Sequence, residues 1–104
     1  MAVRVSADNF NEEVLNAGGI VIADFYSDSC VPCKRMSPVL AEIEEEDPDI
    51  RLVKININFD KELSDKYEVQ AAPTLIFFKD GTEAERTRGA VRKNEITEII
   101  NKLK

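Results

Sequence analysis

The sequence predicts an α/β fold, a central mixed β-sheet with helices on both faces, in the order βαβαβαββα. Three observations carry that expectation. Residues 20–26, IVIADFY, form a near-continuous apolar run, the pattern of a strand buried on both faces. Segments of helical apolar spacing alternate with short β-type runs, which asks for parallel strands joined by right-handed crossovers. The Asp80-Gly81 pair lies between TLIFFK (74–79) and EAERTR (83–88), a hairpin turn that adds an antiparallel part.

In chain order, VRV (3–5) is a short strand. Ser6 or Asp8 is placed to cap a helix carrying Phe10, Val14 and Leu15 on one side, and Gly18-Gly19 ends it. After the apolar strand a second helix opens near Pro32, because proline is tolerated in a first turn. Met36, Leu40 and Ile43 share one face of it. Pro38 lies inside, has no N–H to give, and is expected to kink it; Pro48 closes it. IRLVKINI (50–57) reads as a strand and DKELSDKYEV (60–69) as a short helix. A last helix from about Lys93 shows Ile96, Ile99, Ile100 and Leu103.

A chain of 104 residues suits one domain, 1–104, with one core. No stretch approaches the ~20 consecutive apolar residues of a membrane helix. The N-terminal MAVRVSADNF lacks the apolar run of a signal sequence, so the expected location is the cytoplasm, with no membrane partner. Asp+Glu is 20 and Lys+Arg 14, a net charge of −6, which argues against nucleic acid as a partner. The acidic run EIEEEDPD (42–49) reads as a solvated face. Nothing argues against a monomer.

The chemistry is concentrated in DFYSDSCVPCKRMSP (24–38), which holds both cysteines, Cys30 and Cys33. A structural zinc site takes four ligands, mostly Cys and His, and the chain has two Cys and no His. A structural clip closing so small a ring gains only roughly 2 kcal/mol, and a cytosolic setting would tend to reduce it. A redox pair explains more. At the start of a helix, residues three apart lie on the same side of one turn. The unpaired N–H groups and partial positive charge there favour thiolate at Cys30, and thiolate is the nucleophile. Asp24 is an acid inside a buried strand, where burial raises a carboxylate toward neutrality. Such a group can take and return a proton near pH 7. Lys54 is the matching cation in LVKINI; the plain alternative for the two is a buried ion pair between neighbouring strands.

These residues resemble the thioredoxin family, over essentially the whole chain. The family pattern is a strand with one buried Asp, then W-C-G-P-C-K, a proline after a middle strand, and a Gly after the hairpin. The chain supplies Asp24, Cys30-Val31-Pro32-Cys33-Lys34, APTLIFF with Pro73, and Gly89. The resemblance implies that Cys30 attacks a target disulfide and that Cys33 resolves the mixed disulfide. It implies a cis Pro73 beside the sulfurs, Gly89 as a docking residue, a proton-relay role for Asp24 and a supporting one for Lys54. No cofactor is implied beyond the reversible Cys30–Cys33 disulfide. The implied partners are a thioredoxin reductase and disulfide-containing clients.

Four positions depart from the family pattern, and all lie on the expected docking surface. Ser29 stands for the usual Trp, Val31 for Gly, Ala72 for a larger β-branched residue, and Arg88 for an apolar one. Arg88, with Lys34 and Arg35, is expected to make a basic rim that favours acidic partners or a particular reductase. Strongly oxidising relatives carry a His between the cysteines; Val31-Pro32 offers none, so a reducing pair is expected. The function expected is a general dithiol reductant of protein disulfides. The alternatives are a partner-binding module on the same fold, which would survive Cys30→Ser, and a disulfide oxidase or isomerase, which needs an oxidising compartment.

Overall fold

The computed structural model describes residues 3–104, with the backbone alone at Val3. Five strands form one sheet in the spatial order β1-β3-β2-β4-β5. They are β1 Val3–Arg4, β2 Ile20–Tyr26, β3 Arg51–Asn56, β4 Thr74–Lys79 and β5 Thr82–Arg88. The first three pair in parallel; β4 runs antiparallel to β2, and β5 to β4. The helices are α1 Val31–Glu46, α2 Lys61–Lys66 and α3 Lys93–Leu103. With a π-helical segment, Asn11–Leu15, in the first helical place, the expected βαβαβαββα order is the observed one, and no described helix is long and apolar enough to cross a membrane.

Alternation along the strands sorts the core into two layers. Val21, Ala23 and Phe25 of β2 face a cluster with Phe10, Val14 and Leu63. Ile20 and Ile22 face the other side, against Met36, Leu40 and Ile43 of α1 and Ile96 and Ile100 of α3. Leu52 and Leu75 join that second layer, while Val53 and Ile76 join the first. Because side chains alternate with period 2, Asp24 and Lys54 fall on the α1 side of the sheet.

The first helix differs from expectation. Asn11–Leu15 is a π-helical segment with no side-chain cap, and neither Ser6 nor Asp8 serves it. Instead, Asn9 Oδ1 accepts the Ser6 N–H at 2.8 Å, which closes a turn and delays the segment to Phe10. The Asn16 N–H then reaches Asn11 O at 2.8 Å, five residues back. As expected, Pro38 lies inside α1, which runs through it to Glu46.

The hairpin turn is as expected: Asp80 and Gly81 have φ of 51° and 84°, both in the left-handed region that a type I′ turn requires. A Cβ on Gly81 would stand 2.5 Å from Leu15 O, so this glycine also admits the backbone of the first helical segment. Asp80 and Gly19 bond reciprocally, Asp80 N–H to Gly19 O at 2.9 Å and Gly19 N–H to Asp80 Oδ1 at 2.8 Å. Farther along, Phe77 pairs with Glu85 and Phe78 with Glu83, so Ala84 is the extra residue of a β-bulge.

Candidate active site

The C-terminal ends of β2, β3 and β5 and the N-terminal end of β4 meet at one edge of the sheet. Tyr26 pairs with Asn56, Phe25 with Thr74, and Thr74 with Arg88. The chain leaves β2 there and enters α1. Cys30 is the N-cap of α1, with an extended backbone (φ −87°, ψ 108°), and Pro32 sits in the first turn. The two cysteines are joined as a disulfide, with Cα atoms 5.2 Å apart. Cys30 Sγ accepts the Cys33 N–H at 3.0 Å, so one of the helix's unpaired donors is aimed at the first sulfur. Both cysteines are nearly buried, Cys30 at 9% exposed and Cys33 at 5%.

The loop before Cys30 is held by polar contacts. Asn56 Nδ2 donates to Asp28 Oδ1 at 3.0 Å, Asn58 Nδ2 to Ser27 Oγ at 3.4 Å, and the Ser29 N–H to the same Ser27 oxygen at 3.4 Å. Ser29 itself is exposed.

Asp24 is 1% exposed, and its Oδ1 has no hydrogen-bond partner. Burial raises its pKa from the ordinary 3.8 to about 6, with the Lys54 charge pulling the other way. A cavity of about 190 Å³ is lined by Asp24, Cys33, Lys34, Ser37 and Lys54, among others. At roughly 30 Å³ per molecule it has room for several waters, enough to link the carboxyl to the second sulfur. Lys54 faces Asp24 directly in the β2–β3 register. The simple ion pair does not form, however. The Lys54 amine donates to Ser37 Oγ at 3.4 Å and lies 5.6 Å from the centre of the Tyr26 ring. Its charge therefore acts on Asp24 through space, without a direct contact. Ser37 and Tyr26 are members of this cluster that sequence reasoning passed over. Ser37 stands four residues after Cys33 on α1, a spacing that marks the same helix face.

A second group gathers beside it. The Ala72–Pro73 peptide is cis, and Pro73 is buried. The Gly89 N–H donates to Pro73 O at 2.8 Å, Gly89 has φ 82°, and a Cβ there would meet nothing within 4 Å. Ala72 is half-buried and Arg88 exposed. The described residues thus place Ala72, Pro73, Arg88 and Gly89 together at the sheet edge where Cys30 emerges, and Val31, between the cysteines in sequence, is 59% exposed.

A reversible Cys pair at a helix N-terminus, with a buried acid of raised pKa beneath it, defines a thiol–disulfide oxidoreductase. Comparison with known proteins names the branch. The family model "Thioredoxin" matches residues 1–102. The thioredoxin of Chlamydia pneumoniae is 39% identical over 102 residues, 98% of either chain. That of Bacillus subtilis is 37% identical over 101 residues, covering 96% of this chain and 95% of its own. That of Rickettsia bellii is 33% identical over 102 residues, 97% of either. The chain belongs to the thioredoxin family. Family membership brings redox partners: a reductase and disulfide-bearing clients.

Proposed function

We propose that this protein is a general dithiol donor in which Cys30 is the nucleophile and Cys33 the resolving thiol. In the reduced protein the Cys30 thiolate attacks one sulfur of a client disulfide. A mixed disulfide forms, and the other client sulfur leaves as a thiolate and takes up a proton. Cys33 then gives its proton to Asp24 through the cavity and attacks Cys30 Sγ. The Cys30–Cys33 disulfide forms, the second client thiol leaves, and two electrons have passed to the client. Lys54 tunes Asp24, and Pro32 holds the first turn. The observation that carries the reading is the pairing of a disulfide-forming cysteine at the α1 N-cap with an unpartnered buried acid in the cavity lined by Cys33.

Ser29, Val31, Ala72, Arg88 and Gly89, with Pro73, form the proposed docking rim. Arg88 is exposed and makes no ion pair among the described residues, whereas Arg51, Arg86 and Lys93 do. Replacing Arg88 with Val should lower the rate with the natural reductase and flatten its salt dependence; an unchanged rate and slope would remove Arg88 from the rim. The donor acts as a monomer, is re-reduced by a thioredoxin reductase, and belongs in a reducing compartment, the cytoplasm.

Two measurements test the reading. Cys33→Ser should accumulate a mixed disulfide through Cys30, and Cys30→Ser should form none. The pair should equilibrate near about −270 mV; a value of about −120 to −180 mV would mean an oxidase or isomerase instead.

A further inference from the structure

Large apolar side chains are exposed at two places among the described residues, Val31 (59%) and Phe59 (80%), and both lie at the redox end of the sheet. Val31 is the residue after Cys30. Phe59 lies in the β3–α2 loop, three residues past Asn56, which pairs with Tyr26 at the end of β2. Elsewhere the described surface buries its large hydrophobics, so this coincidence is the feature to explain. Beside Phe59 is a cleft of about 310 Å³, lined by Val5, Tyr26, Lys54, Asn56, Phe59 and Asp60, among others. Tyr26, Asp28 and Lys54 line both this cleft and the cavity beneath Cys33. The two spaces therefore adjoin, and the cleft continues the redox site away from the cis-proline side.

We propose that the Phe59 cleft is a client subsite. It would take one aliphatic or aromatic side chain of the client, from a residue a few positions along the chain from the disulfide cysteine, while Val31 packs against the residues next to that cysteine. The chemistry of the walls supports this occupant. Phe59, Val5 and the Tyr26 ring supply apolar contact, and the volume is of side-chain scale. The Lys54 amine, bonded to Ser37 through one hydrogen, keeps donors for a client backbone carbonyl, while Asn56 is already held by Asp28 and the Asn58 N–H. Neighbouring strands end ~4.8 Å apart, and extended chain advances ~3.3 Å per residue. Cys30 follows β2 and Phe59 follows its neighbour β3, so a short extended client segment crossing the strand ends runs from one to the other. Covering a Phe that is 80% exposed removes apolar ring surface from water, which favours the contact.

This inference rests on the dithiol-donor reading, and the experiment separates the two. Matched disulfide-bridged peptides carry Leu or Ser at positions two to six from the attacked cysteine. Rates of reduction (kcat/KM) are measured with the wild-type protein and with Phe59→Ala, whose folding is confirmed by denaturant unfolding. At one position the wild type should reduce the Leu peptide about three- to ten-fold faster than the Ser peptide, the value of partly burying one such side chain. Phe59→Ala should bring that ratio to about one. A wild-type ratio near one at every position, or a ratio that survives Phe59→Ala, would overturn the subsite. Self-association of the wild type that Phe59→Ala abolishes, with no peptide preference, would overturn it in favour of a second copy as the occupant. If the wild type reduces no peptide of either kind, the donor reading itself fails.

Discussion

Asp24→Asn separates the stability of this protein from its chemistry. The carboxyl is 1% exposed and titrates near about 6 in the fold instead of 3.8. Below pH 3.8 both folded and unfolded chains hold the proton, and the acid has no effect on stability. Between 3.8 and about 6 the unfolded chain has released it and the folded chain has not, so folding becomes less favourable as pH rises. Above about 6 the penalty is complete. A rise of about two pKa units at roughly 1.4 kcal/mol each gives about 3 kcal/mol. That is a large share of the 5–15 kcal/mol typical of a folded domain. Asn has the same shape and no charge. The oxidised Asp24→Asn protein should therefore be more stable than the wild type by up to about 3 kcal/mol at pH 8, and by little near pH 3.8. Guanidinium unfolding of both proteins across pH 3.5–8 reads the difference directly. A difference that does not vary with pH would refute the argument, because the change would then come from packing and not from a buried charge. The same variant should resolve mixed disulfides slowly near neutral pH, so stability is gained where chemistry is lost.

Other outcomes follow from the same geometry. Lys54→Met removes the charge that holds Asp24 down, so the pH midpoint for resolution by Cys33 should move upward; a fixed or lowered midpoint would show that Lys54 does not act on Asp24. Gly81→Ala forces a Cβ against Leu15 O at φ 84° and should destabilise by about 2–4 kcal/mol, whereas Gly18→Ala, with φ 73° and open space, should lose about 1–2. Equal losses in denaturant would count against the Leu15 contact. Leu40, 1% exposed between α1 and the sheet, should lose about 2–5 kcal/mol as Ala in the same assay; under 1 kcal/mol would mean the α1 layer is loosely packed.

Local patterns in the chain carried most of the architecture. The apolar run at 20–26, the Asp-Gly turn and the helical spacing of Met36, Leu40 and Ile43 each depend on neighbours close in sequence, and each element stands where its pattern puts it. The cysteine pair was legible for the same reason: a first helical turn is a local object, and its donors come with it. Asp24 was visible as an acid in an apolar strand. Other features depend on pairings distant in sequence. The β2–β3 register sets Lys54 opposite Asp24, but packing of α1 over the sheet supplies Ser37 and turns the amine aside. The cis Ala72–Pro73 bond came from the family resemblance, since no local signal marks it, and its hydrogen bond with Gly89 needs β4 and β5 in place. The π-helical first segment, the bulge at Ala84, the approach of Gly81 to Leu15 and the cleft beside Phe59 were not legible at all. The approach of Gly81 to Leu15 and the cleft beside Phe59 bring together segments far apart in the chain, and propensity, which is a property of neighbours, holds no record of such contacts; the π-helical segment and the bulge are local irregularities that apolar spacing does not mark.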